Sequence, residues 1–193
     1  MLTHVIWDLG ETLVTPPNGG QDLQPLDLCM EIALRSGVVE TLETIRQSGC
    51  VQAVLSNTAT SDSDAARRLL ERLGIASYFT FIYATQSELD DNKPEKPDPV
   101  VFELVLNALG IQAHQAVMVG NSWDNDILGA NRSGLHAIWL KNPAVAARRD
   151  ETTPVQSPPW IVPVWDVADV PQALGVLQAS TGSEHNLMGL SQD

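Results

Sequence analysis

The sequence predicts an α/β domain built on a doubly wound, mostly parallel sheet. Three observations carry that expectation. Short apolar runs alternate with amphipathic stretches from residue 4 to residue 140, the pattern of strands joined by crossover helices. Helical stretches are followed by Gly49, Gly74, Gly110 and Gly134, as expected of helix stops ahead of the next element. Asp8, Ser56 and the segment GNSWDND stand directly behind apolar runs, at what would be the carboxyl ends of strands, where such sheets bind ligands.

Taken in order, HVIW (4–7) is a first buried strand that feeds a long loop, because NGGQDLQPLD (18–27) carries turn formers without periodicity. Val38, Leu42 and Ile45 share one helical face, and Gly49 ends that helix. VQAVLS (51–56) is short, partly β-branched and bounded by polar residues, so it is a second strand. Ser61 or Asp62 can cap the next helix, whose apolar face is Ala66, Leu69, Leu70 and Leu73. FTFIYA (79–84) makes the third strand. Asp98 and Pro99 open a helix that Gly110 closes. AVMVG (116–120) is the fourth strand, a short helix follows from about Asp124, and LHAIWL (135–140) is the fifth strand. WIVPVW adds an edge strand, since Pro163 lacks the N–H that a central position needs. A helix over about 171–179 packs back. The expected organisation is one domain over 1–180 and a disordered tail over 181–193, where no periodicity is visible.

Composition limits the function classes. With 193 residues, 44% apolar and 5% aromatic, the chain is an ordinary globular domain with a single core. Against 11 basic side chains stand 24 acidic ones, a net charge of −13, so the average field repels nucleic acid and anionic membranes. Any anionic substrate needs a local cation. Cys29 and Cys50 are too few for a disulfide framework and lack metal-ligand spacing, which suits a reducing compartment. No run is long enough to cross a membrane and Asp8 interrupts the first apolar run, so neither a signal peptide nor a membrane helix is expected and the default location is the cytoplasm.

In a parallel sheet, Asp8, Ser56-Asn57 and GNSWDND project from one edge, and Lys96 can reach that edge from the loop ahead of its helix. A carboxylate nucleophile, a hydroxyl, a fixed ammonium and an acidic cluster form a site for a phosphoryl group and a divalent metal. Singly, each has a plainer reading: a strand-end Asp as a turn or cap, Ser-Asn as turn chemistry, Lys96 as a solvated lysine, Asp124 and Asp126 as acids in a first helical turn. Their common order along the chain argues otherwise.

That order resembles the haloacid dehalogenase-like (HAD) superfamily, over most of residues 4–140. Its first motif, D-x-D-x-T, is matched by Asp8, Leu9, Gly10, Glu11 and Thr12, with Gly10 in place of the second aspartate. Ser56 corresponds to the hydroxyl that ends the second motif, and KPDPVVF, with Lys96, to the third. VGNSWDND matches the fourth, with Asn121 for its first aspartate and Asp126 for its second. The resemblance implies a HAD-like Rossmannoid fold and a magnesium-dependent phosphomonoester hydrolase acting through an aspartyl-phosphate. Asp8 would be nucleophile and metal ligand, and Gly10 would lend its carbonyl to Mg²⁺. Ser56, Asn57 and Lys96 would bind phosphate. Asn121 and Asp126 would complete the metal shell, Asp126 orienting it from behind, with Asp124 an additional candidate.

The two departures point the same way. In the family the aspartate missing at Gly10 protonates the leaving group and then activates water; general acid-base catalysis is worth ~10²–10⁴-fold, so its loss predicts slow turnover. Asn121 keeps an oxygen donor but removes a charge, which predicts weaker Mg²⁺ binding. Glu11 offers a carboxylate one position later. The intervals Asp8–Ser56 and Ser56–Lys96, 48 and 40 residues, are mostly filled by core elements, so no large cap domain is expected. The open site suits a phosphorylated small molecule or a phosphoprotein, or an oligomer that covers it. A different class, an impaired member that binds phosphate or a phosphorylated partner without turnover, is supported by Gly10 and Asn121. Cleavage of a carbon–halogen bond would call for a cap and an apolar halide pocket.

Overall fold

The computed structural model describes residues 1–18, 24–86, 93–141 and 158–188. Six parallel strands form one sheet in the order β3-β2-β1-β4-β5-β6: β1 His4–Trp7, β2 Val51–Ser56, β3 Phe79–Ala84, β4 Ala116–Gly120, β5 His136–Leu140 and β6 Ile161–Val164. The expected alternation is therefore present. β6 is at the sheet's edge, where Pro163 costs no central ladder bond.

Because successive strand residues face opposite ways, β1 feeds two cores. Val5 and Trp7 join the helices α1 (Val38–Gln47), α2 (Ser63–Arg72) and α5 (Val170–Met188) on one face. Ile6 joins α3 (Pro99–Leu109) and the short α4 (Gly129–Arg132) on the other. The chain order reverses between β1 and β4, so the crevice of this sheet opens where Asp8 and Asn121 leave their strands. The Asp8 N–H donates to the Val119 carbonyl at 2.8 Å, which fixes the turn after β1 against the end of β4.

The helix signals act as the sequence indicates. Asp62 caps α2 by accepting from the Ala65 N–H at 2.8 Å. The alternative cap, Ser61, is used elsewhere: its hydroxyl accepts the Leu26 N–H at 2.8 Å and ties the long first loop to α2. Asp98 caps α3, Pro99 takes its first position, and Gly110 closes it in the left-handed conformation at φ 68°. A π-helical turn over Trp123–Leu128 precedes α4. α5 runs on to Met188 instead of stopping near Ala179, through part of the stretch expected to be a tail. The physical reason is cooperativity: once Val170, Ala173, Leu174 and Leu177 are anchored in the core, extending a helix costs much less than starting one. Residues 189–193 lie outside the described residues.

No large cap is inserted among the described residues. The described chain between Asp8 and Ser56 supplies the first loop, α1 and β2, and that between Ser56 and Lys96 supplies α2 and β3. Residues 19–23 and 87–92 of those intervals lie outside the described residues.

Candidate active site

The strand ends bring together a buried charged cluster that no single segment would show. Lys96, 2% exposed, donates three hydrogen bonds: to Asp8 Oδ1 at 2.8 Å, to Asp126 Oδ1 at 2.6 Å and to the Leu55 carbonyl at 2.9 Å. An ammonium has three protons, and all three are used. Burial works against its charge, but Asp126 and Asp8 more than offset this and hold the Lys96 pKa above the ordinary lysine value. Burial also pushes the Asp126 carboxyl up to about 6, against the pull of Lys96 and with some help from the negative charge of Asp8. Its second oxygen accepts the Ser122 N–H at 2.9 Å, so both Asp126 oxygens are engaged.

Asp8 is the group that faces outward from this cluster, and its two oxygens have different neighbours. Ser56 donates to Oδ1 at 3.3 Å, on the Lys96 side. The Thr12 hydroxyl lies 3.1 Å from Oδ2 and 3.2 Å from Asn121 Oδ1. Thr12 has one hydroxyl proton for these two acceptor oxygens, so Asp8 Oδ2 and Asn121 Oδ1 converge on a single donor. Trp139 Nε1 donates to the Asn121 carbonyl at 3.2 Å and fixes that turn, and Trp123 packs on the Trp139 ring at 4.6 Å. Trp123 is thus a packing aromatic of the π-helical turn.

An open depression of about 290 Å³ is lined by Asp8, Ser56, Lys96, Asn121 and Asp126 together with Gly10 and Glu11. Among the described residues no three His, Cys, Asp or Glu side chains converge as a metal-binding group. Any metal here would rely on Asp8 Oδ2, the Asn121 amide oxygen, the Gly10 carbonyl and water. That all-oxygen set suits a hard, strongly hydrated divalent cation.

Asn57 lines the same depression, and its side-chain amide is engaged with the Lys96 backbone. Its Nδ2 donates to the Lys96 carbonyl at 2.8 Å and its Oδ1 accepts the Lys96 N–H at 2.9 Å. The amide is a two-way clamp that pins the loop carrying Lys96 to the end of β2. Thr12 was part of a motif without a role; here its hydroxyl links the oxygens of Asp8 and Asn121.

Two glycines matter through what approaches them. A Cβ on Gly120 would sit 2.3 Å from Asp126 Oδ2, so a side chain there would displace the carboxylate that grips Lys96. At Gly129 a Cβ would meet Pro97 and Phe102 at 3.0 Å, which shows how closely α4 packs on the Lys96 loop. Gly120→Ala is expected to cost about 1–3 kcal/mol in stability and about 10²-fold in kcat/KM, since a shift near 1 Å at a positioned group can have that effect. Urea unfolding and steady-state rates on the folded variant check this. Full activity with an unshifted midpoint would show that Asp126 need not sit where it does.

The haloacid dehalogenase-like hydrolase model matches residues 3–134, more than half of the chain. Ribulose-1,5-bisphosphate 5-phosphatase of Halopiger xanaduensis is 35% identical over 108 residues, covering 56% of this chain and 42% of that protein. Phosphoglycolate phosphatase of Pectobacterium atrosepticum is 37% identical over 103 residues, covering 53% of this chain and 41% of that one. The chain spans less than half the length of these curated relatives. Among solved structures, an uncharacterized protein from Listeria monocytogenes serotype 4b matches with TM-score 0.86 and 55% identity, covering 92% of this chain and 99% of that chain. A HAD phosphatase from Thermococcus onnurineus, at TM-score 0.64 and 17% identity, covers 90% of this chain and 98% of that chain, a likeness of fold alone. The family match runs from the first strand past α4, the stretch that supplies every side chain of the buried cluster, and on that ground the chain belongs to the haloacid dehalogenase-like hydrolase family.

Proposed function

We propose that the chain is a Mg²⁺-dependent phosphomonoester hydrolase that works through an aspartyl-phosphate on Asp8. The observation that carries this is the unequal setting of the two Asp8 oxygens in the lining of an open pocket. Oδ1, aligned by Lys96 and Ser56, is the attacking atom. Oδ2, beside Asn121, is the atom for the metal. The Ser56 hydroxyl turns from Asp8 to a phosphoryl oxygen when substrate arrives, and Lys96 balances the added negative charge. Asp126 and Asn57 keep Lys96 in place, one at its ammonium and the other at its backbone. Bound Mg²⁺, held by Asp8, Asn121 and the Gly10 carbonyl, would supply charge neutralisation at the phosphoryl group. Asp126, with both oxygens engaged, orients that shell through Lys96 and Ser122.

Relatives named as phosphatases of ribulose-1,5-bisphosphate and phosphoglycolate support a phosphorylated small molecule as the substrate class. Among the described residues no helix is long and apolar enough to cross a membrane, and both cysteines are free. These features suit the cytoplasm. A second reading, a phosphate-binding member without turnover, is favoured by Gly10 and by the lack of a three-carboxylate metal cluster among the described residues.

Turnover of an activated aryl phosphate with and without Mg²⁺ separates the two readings. The native protein should show metal-dependent turnover, and Asp8→Asn should lower it by at least about 10³-fold, because the nucleophile has no substitute in the pocket. Phosphate binding without turnover in the native protein would favour the second reading.

A further inference from the structure

The pocket has room for a substrate but few ways to give a proton to its leaving group. Lys96 has each of its three N–H protons in a bond to Asp8, Asp126 or Leu55. Asp126 has both oxygens occupied. Asp8 is the nucleophile. Ser56, Asn57, Thr58, Asn121, Ser122 and Asn125, which also line the pocket, are not acids near neutral pH. Gly10 has no side chain, and beyond its chain neighbours no atom of the described residues lies within 4 Å of where its Cβ would be. Glu11 alone remains as a candidate acid among the described lining residues. Its backbone is in the left-handed region at φ 56°, and Arg35 holds its carbonyl, so the turn fixes the backbone while no bond to the carboxylate aims it at the phosphoryl site. The apolar part of the lining is Pro16, Pro17 and Leu26.

Resting on the phosphatase reading, we infer that the substrates are phosphate esters of acidic hydroxyls, aryl or enol phosphates, whose leaving oxygen departs unprotonated. The first step forms the bond between Asp8 Oδ1 and phosphorus and breaks the ester P–O bond. The electron pair stays on the leaving oxygen, which leaves as a phenolate or enolate and takes its proton from bulk water. In the second step water attacks the same phosphorus, the Asp8–phosphorus bond breaks with its electron pair returning to the carboxylate, and the water's proton passes to solvent. Pro16, Pro17 and Leu26 offer apolar contact to such a leaving group, and delocalisation over its ring or double bond stabilises the departing anion. An alkoxide has no such stabilisation, so an alkyl ester needs a proton that no described lining residue is held in place to give.

The test is a series of aryl phosphates differing in the acidity of their phenol, with an alkyl phosphate at the far end, assayed with Mg²⁺ at fixed pH. If most of the negative charge develops on the leaving oxygen, kcat/KM falls by up to about tenfold for each unit by which the phenol becomes less acidic. A steep fall in the native protein, made shallower in Gly10→Asp, is the expected result. A flat series in the native protein overturns the inference, and if that series steepens in Glu11→Gln, Glu11 is the acid. A flat series with metal-dependent turnover leaves the phosphatase reading standing. Absence of turnover for every ester, with Asp8→Asn no different from native, removes the phosphatase reading and this inference with it.

Discussion

Gly10→Asp should raise turnover of an alkyl phosphomonoester by ~10²–10⁴-fold, the range that positioned general acid-base catalysis contributes. The backbone already accepts the change. Beyond its chain neighbours, a Cβ built on Gly10 meets nothing of the described residues within 4 Å, and its φ lies outside the left-handed region, so an L side chain brings no strain. Gly10 is also held in register: Glu11 N–H donates to the Val14 carbonyl at 2.8 Å and Val14 N–H to Leu9 at 3.1 Å, bracketing it on both sides. The new carboxylate would enter the pocket lining two residues after Asp8, and the backbone carbonyl proposed for the metal would be unchanged. The gain should be largest for poor leaving groups and smallest for activated aryl esters, which need no proton. Steady-state kinetics on both substrates, with a thermal midpoint showing an intact fold, decide it. If a folded variant gained nothing on the alkyl ester, the missing aspartate would not be what limits this enzyme.

The parts of the site that were legible in the sequence are those whose chemistry is announced locally. Asp8 follows an apolar strand, Lys96 precedes Pro97 and a capped helix, and Asp126 stands in an acidic turn after β4. The parallel alternation then requires that all three reach one edge. What could not be read is how the side chains divide their bonds. Asn57 sits beside Ser56 at a strand end, and nothing nearby in sequence shows that its amide closes on the backbone of a residue 39 positions later. Gly120 and Gly129 look like ordinary small residues until Asp126 and Pro97 are found pressed against them. Their need for glycine comes from another part of the chain. The same limit applies to α5, whose end depends on anchoring in the core and not on periodicity of its own last residues.

Lys96→Met should cost about 3–5 kcal/mol of stability, a large part of the ~5–15 kcal/mol typical of a domain, as well as turnover. Methionine fills nearly the same space, so the loss measures charge and hydrogen bonding, not a cavity. What remains is a pair of carboxylates, Asp8 and Asp126, 7% and 1% exposed, deprived of the ammonium that held both. Burial already pushes Asp126 up to about 6 with Lys96 present; without the ammonium its carboxyl should titrate higher still, further above the unfolded value near 3.9. The sign follows from proton binding. With the folded pKa raised, the folded variant binds more protons than the unfolded chain over the interval between the two values, so its stability rises as pH falls through that interval. The deficit relative to native should therefore be greatest near pH 8 and shrink toward pH 5. Adding Asp126→Asn to Lys96→Met removes one uncompensated charge and should recover part of the loss without restoring turnover. Urea midpoints at both pH values, taken with a chelator present, test this. A deficit below about 1 kcal/mol that did not change with pH would mean that water already reaches and solvates these carboxylates, and that Lys96 is not the electrostatic centre of the site.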